Sequence, residues 1–248
     1  MRNSMGKYLR SENLKFKRTF SRKLIVIAPL AVAVFALIIG GFIWFQSFLL
    51  YWWYGLILSG ILALVCGLAN QREGRGEKYS HVFTMPINLK KFWIAKNMVS
   101  MWYFFWMQMV MLVIASISYV LAPAAAQFTP VRLLIGVIII FLTSIWQIPL
   151  CTFLSKKIGL YITIIVNTII GLFASFACGN SVLVWIVPYC WVAKAVEYSI
   201  GIKVSGEVGK LPGFQHSGQV ILLCVMSLIL CVAIMLAAAN WFEKLEEK

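Results

Sequence analysis

Apolar stretches about 20 residues long alternate with short polar ones along this chain, a length that suits bilayer-crossing helices better than the helices of a soluble core. The pattern predicts six spans, at about 24–45, 53–69, 99–121, 131–154, 160–177 and 220–241. Ahead of them, residues 1–23 place Met5, Tyr8, Leu9, Phe16 and Phe20 on one helical face and Arg10, Lys15, Lys17, Arg18 and Arg22 on the others. That is the pattern of an amphipathic helix lying in the membrane interface, with Leu14 as its one misplaced residue. Pro29 is expected near the start of the first span, where a missing N–H matters little. The uncharged Gln46–Leu50 reads as a connection, and Tyr51, Trp52, Trp53 and Tyr54 as an aromatic belt at the membrane surface. Between the fifth and last spans, Ser181–Ile200 is apolar but broken by Pro188. It carries Lys194 and Glu197 at a spacing that suits a helical ion pair. It reads as a short outer-face or re-entrant helix, because a seventh span would bury both charges.

Composition sharpens this picture. Charged residues are 12% of the chain and mean hydropathy is +0.89, against about a quarter charged in soluble domains. The net charge of +14 would suit nucleic acid if it were clustered, but the cations fall on alternate loops, as topology signals do. Eighteen Lys and Arg fall on the side of the N-terminal tail, the loop 70–96, Lys156–Lys157 and the C-terminus, and four on the other. Both termini are therefore expected in the cytoplasm of a multi-pass protein, and the first apolar run is read as a retained span, not a cleaved signal. The domain division is an amphipathic helix over 1–23 and a six-span unit over 24–248.

The six cysteines form no CxxC and no zinc-like spacing. Cys178 and Cys190 both fall near the expected outer face, where spacing alone leaves a disulfide open. There are two histidines, no Asp, no HExxH, no nucleophile–base set and no GxxxxGK[ST]. Neither an active site nor a bound cofactor is expected, and any ATP chemistry must reside elsewhere. Along the second span Gly55, Ser59, Ala63 and Gly67 recur every four residues, a stripe that lets another helix approach closely. Gln108, Gln147 and Asn167 are polar groups within spans. Interhelical hydrogen bonding is the favoured role for each, with a cargo path as the alternative.

The longest polar interruption in the first half is Asn70–Lys96. Tyr79, Val82 and Phe83 make a small apolar face, Met85–Pro86 stops that helix, and Asn88 suits the N-cap of the next. Ile87 and Phe92 are placed to staple that second helix, and Lys90, Lys91 and Lys96 to mark the cytoplasmic surface among anionic lipids. Gly74 and Gly76 weaken the first helix. A short helix ended by proline and joined to a span suits mechanical coupling as well as it suits an ordinary connector.

The run YWWYGLILSGILALVCGLANQREGRGEKYSHVFTMPINLKKFWIAK (51–96), with WIVPYCW (185–191), resembles lantibiotic-immunity ABC transporter permeases of the MutE/EpiE type. Length and span number agree with that family. The resemblance implies an ABC-2-type permease subunit in a bacterial cell membrane. Such a subunit works with two copies of an ABC ATPase that binds ATP and magnesium, and with a second six-span permease or a copy of itself. The complex expels a lantibiotic or similar cationic antimicrobial peptide from the bilayer. On the same resemblance Tyr79, Val82, Phe83, Met85 and Pro86 form the ATPase-coupling loop, and residues 1–23 an elbow helix. A passive membrane immunity or sensor protein that binds the peptide without ATP is the alternative.

Overall fold

The structure, a computed structural model, describes residues 5–17, 20–74, 88–177, 183–203, 205–209 and 216–244. Among these residues the secondary structure is helical, with a single antiparallel bridge between Ile202 and Val208 and no sheet. Four helices are long and apolar enough to cross a membrane, or five if one bent pair is a single span. Large apolar side chains such as Ile38, Tyr161, Phe173 and Ile221 stand more than half exposed on these helices, a surface that water would not tolerate over such an area. The chain is an all-α protein of multi-pass membrane type.

Helix α1 (Met5–Lys17) leads into α2 (Phe20–Gly40). Helices α3 (Phe45–Trp52) and α4 (Leu58–Gly74) are joined by a π-helical turn at Trp53–Ile57. Next comes α5 (Leu89–Leu121), whose 33 residues reach about 50 Å, well beyond a hydrocarbon core of about 30 Å. Helices α6 (Pro130–Ser144) and α7 (Gln147–Lys157) meet at a 41° bend. A tight turn at Gly159, with φ of 92°, starts the shorter apolar helix α8 (Leu160–Ala177). After it come α9 (Leu183–Ile186), α10 (Cys190–Ile200) and α11 (Ser217–Glu243).

The α6–α7 bend has a local cause. Pro149 has no N–H to give the carbonyl of Ile145, and its ring crowds that carbonyl. The Ile145 oxygen instead faces Ile148 N at 3.2 Å and the Cys231 thiol at 3.7 Å, and Ser227 Oγ donates to Leu142 O at 2.7 Å. Two side chains of α11 thus stand in for the missing helix bonds.

Several boundaries differ from the sequence reading. The second apolar helix begins at Phe45, because Gln46 is not a loop residue. It is buried, donates to Ser118 Oγ at 3.1 Å and accepts from Phe128 N at 2.7 Å. The extra turns place Trp53 and Tyr54 in the core rather than in a surface belt. Pro29 is interior, since α2 starts at Phe20. Tyr8 and Phe16 of α1 are buried, Phe16 stacking on Tyr103 of α5 at 4.8 Å, while Phe20 is exposed at the start of α2. Four of the five residues of the expected lipid-facing stripe, Met5, Tyr8, Leu9 and Phe16, therefore pack on protein.

Packing is arranged around two helices. Helix α4 lies between α7 and α8, and α5 lies against α1, α2, α6 and α11. Helix α10 is mostly buried, against α6 and α11. Lys194 and Glu197 pair at 2.8 Å, with the ammonium also over Tyr198. Helix α10 ends at Gly201, whose φ of 86° closes the last turn as only glycine does without strain. The turn before α10 carries Tyr189, whose hydroxyl reaches Asn167, eighth of the 18 residues of α8.

Candidate functional site

The loop between α4 and α5 is anchored at both ends. Tyr79, Val82, Phe83, Met85 and Pro86, and also Ile87, lie outside the described residues; the base of the loop does not.

The α5 end is fixed by its cap. Asn88 is extended, and its side chain accepts from Lys91 N at 2.9 Å, satisfying one of the helix's unpaired donors. The Asn88 N–H donates to the Tyr8 hydroxyl at 2.9 Å. Helix α1 therefore sets where α5 begins. Phe92 and Trp93 follow and pack on Phe242 at the end of α11, with centroids 6.2 Å and 4.7 Å away. The exposed Lys90–Glu243 pair, 2.8 Å apart, adds little in water.

One turn on, Lys96 departs from the sequence reading. It is completely buried, not at a lipid-facing surface. Positions 89, 92, 93, 96 and 99 form the buried face of α5, and Lys96 occupies a core slot on it. Its ammonium donates to Asn70 Oδ1 at 3.1 Å and sits 5.1 Å from the centre of the Phe92 ring. Lys15 of α1 lies over the same ring at 4.9 Å and also pairs with the buried Glu12.

Asn70 completes the joint. Its amide donates to Thr152 O and to Ser155 Oγ, both at 2.7 Å. A single asparagine near the end of α4 thus ties α5 to α7. Sequence reasoning missed it, although one signal was present: the 3–4 spacing of Leu89, Phe92, Trp93, Lys96 and Val99 puts the lysine on an apolar face, where a cation needs partners.

The small-residue stripe sits where helices approach closely. A Cβ on Gly67 would lie 2.1 Å from Leu160 Cδ1, and one on Gly171 would lie 2.8 Å from Ser59 Cβ. Gly55 and Ala63 are buried on the same helix run. The three polar span residues divide. Gln147 Oε1 accepts from Asn167 Nδ2 at 3.2 Å, and Asn167 also donates to Ser59 O at 2.6 Å and accepts from the Tyr189 hydroxyl at 2.5 Å. Gln108 is apart from them, accepting from Trp53 Nε1 at 2.8 Å. All three are buried. None lines the apolar groove of about 300 Å³ between Met98, Met101, Trp102, Phe105 and Phe141.

Cys190 is disulfide-bonded, while Cys66, Cys151, Cys224 and Cys231 are free; Cys178 lies outside the described residues. Among the described residues no three His, Cys, Asp or Glu side chains converge as metal ligands would. The arrangement at the loop base can hold and transmit position: a buried polar joint linking α4, α5 and α7, with α1 and α11 packed around it. No family model, curated protein or solved structure matches this chain.

Proposed function

We propose that this chain is the permease subunit of an ATP-driven exporter, and that the loop between α4 and α5 is its handle for a separate ATPase. In this reading the bilayer is crossed six times, by α2, α3–α4, α5, α6–α7, α8 and α11, with both termini in the cytoplasm. Helix α1 is the elbow, residues 79–86 form the coupling element, and α9–α10 is a hairpin that re-enters from the outer side. The position of Tyr189 halfway along α8 supports that hairpin. The cargo is a lantibiotic or similar cationic peptide, and the partners are two ATPase copies and a sister permease or second copy of the chain.

The observation that carries the reading is the Asn70–Lys96 joint. Asn70 bonds Lys96 of α5 as well as Thr152 and Ser155 of α7, so a displacement of the loop base would carry α4, α5 and α7 together, as a lever requires. The cation count on that side supports a cytoplasmic position.

The test is twofold. Mild extraction from the native membrane should recover a P-loop ATPase with this chain. The double variant Tyr79→Asp/Phe83→Asp should insert normally yet bring stimulated ATP hydrolysis down to the basal rate. Undiminished stimulation in that variant would count against residues 79–86 as the docking element, and full protection of cells from the peptide with no ATPase expressed would favour passive sequestration instead.

A further inference from the structure

We infer that the break between α6 and α7 is a hinge, latched in its bent state by the hydrogen-bond chain from Tyr189 through Asn167 to Gln147.

Three observations lead there. First, the break needs no continuous helix ladder, because Pro149 cannot donate and Ser227 and Cys231 of α11 serve the carbonyls of Leu142 and Ile145. A proline and inserted side chains are the local causes of sharp helix kinks, and here no continuous i→i−4 ladder across the break has to be broken for the angle to change. Second, the bent state leaves polar atoms unmet at the break. Ser144 Oγ, Trp146 Nε1 and Trp191 Nε1 are buried without a hydrogen-bond partner, and each unmade bond weakens this arrangement relative to one that makes it. Third, a specific set of contacts opposes that weakness. Gln147, first residue of α7, is held by Asn167, and Asn167 by the Tyr189 hydroxyl at 2.5 Å. The Tyr189 ring also meets Trp146 edge-on at 4.8 Å.

The other end of α7 is where Asn70 grips Thr152 and Ser155. Helix α7 is thus a short rod with the latch at its head and the loop base at its tail. Its 11 residues and the 41° bend limit the travel of its far end, on complete straightening, to about 12 Å. The inference goes beyond the transport reading, since the joint is defined by this chain alone and is measured with no ATPase present.

The experiment uses the full chain in lipid nanodiscs, with Cys224→Ser and nitroxide labels at Lys157→Cys and at either Lys23→Cys on α2 or Lys91→Cys on α5. Pulsed electron resonance reads the two distances. The unsubstituted latch should give one dominant distance for each pair. Tyr189→Phe keeps the ring and its packing but removes the hydroxyl, and should add a second population displaced by several ångströms, up to about 12 Å. Asn167→Val should do the same, and Pro149→Ala should shift the main population. Distributions identical to the parent in all three well-folded variants, judged by monodisperse elution, would overturn the hinge. A displaced population alongside normal ATPase stimulation in the Tyr79/Phe83 variant would leave the hinge standing and remove only the proposed drive.

Discussion

Among the described residues, replacing Asn70 by leucine removes three interactions: one from the Lys96 ammonium at 3.1 Å and two to α7 at 2.7 Å. A hydrogen bond to a charged group contributes about 1.5–3 kcal/mol and a neutral one about 1 kcal/mol. Thr152 O keeps the Ser155 hydroxyl as a donor at 3.1 Å, so it is not orphaned. The expected destabilisation is therefore about 3–5 kcal/mol, which for a chain of this length lowers Tm by about 6–20 °C. Asn70→Leu alone could act through packing, so the informative quantity is the coupling with Lys96→Met, which keeps the apolar stem. The double-mutant cycle should show a coupling of about 1.5 kcal/mol or more, measured by thermal unfolding of the purified protein in one detergent. Single-variant effects that simply add, within about 0.5 kcal/mol, would refute the joint as an energetic link between α4 and α5.

Further outcomes follow from the same geometry. Gly171→Ala should destabilise by about 1–3 kcal/mol, because its Cβ meets Ser59 close to the backbone of α4. Gly67→Ala should be milder, since it meets the movable tip of Leu160; the order of the two Tm values checks this. Asn88→Ala should lower stability by about 1 kcal/mol through loss of the α5 cap, and Asn88→Ser should restore most of it. Non-reducing peptide mapping should recover the Cys190 peptide in a cross-linked form that reduction releases.

Local features were legible in the sequence. The Asn88 cap and the Lys194–Glu197 pair depend on residues three apart, and both stand as the spacing suggests. The long apolar helices were legible because length and hydropathy alone define them. What escaped was set by contacts distant along the chain. Gln46 reads as a loop residue until Phe128 and Ser118 satisfy its amide. Lys96 reads as a surface cation until Asn70, 26 residues away, is brought to it. The face of α1 was visible from its periodicity, but not that Tyr8 and Phe16 pack on α5. The bend between α6 and α7 had a sequence signal in Pro149, hidden inside a span that looked continuous. The joint at the loop base combined two such distant effects, so composition and spacing pointed to the loop without showing what holds it.

Coupling to a cytoplasmic ATPase requires the α4–α5 loop to face the cytoplasm. Single cysteines at Arg75 and Lys91, set beside controls at Ala124 and Val131 in the opposite connection, should be probed in intact cells with a membrane-impermeant maleimide. The two controls should label at once, and the loop positions only after the cells are opened. Labelling of Arg75→Cys or Lys91→Cys in intact cells would contradict that placement.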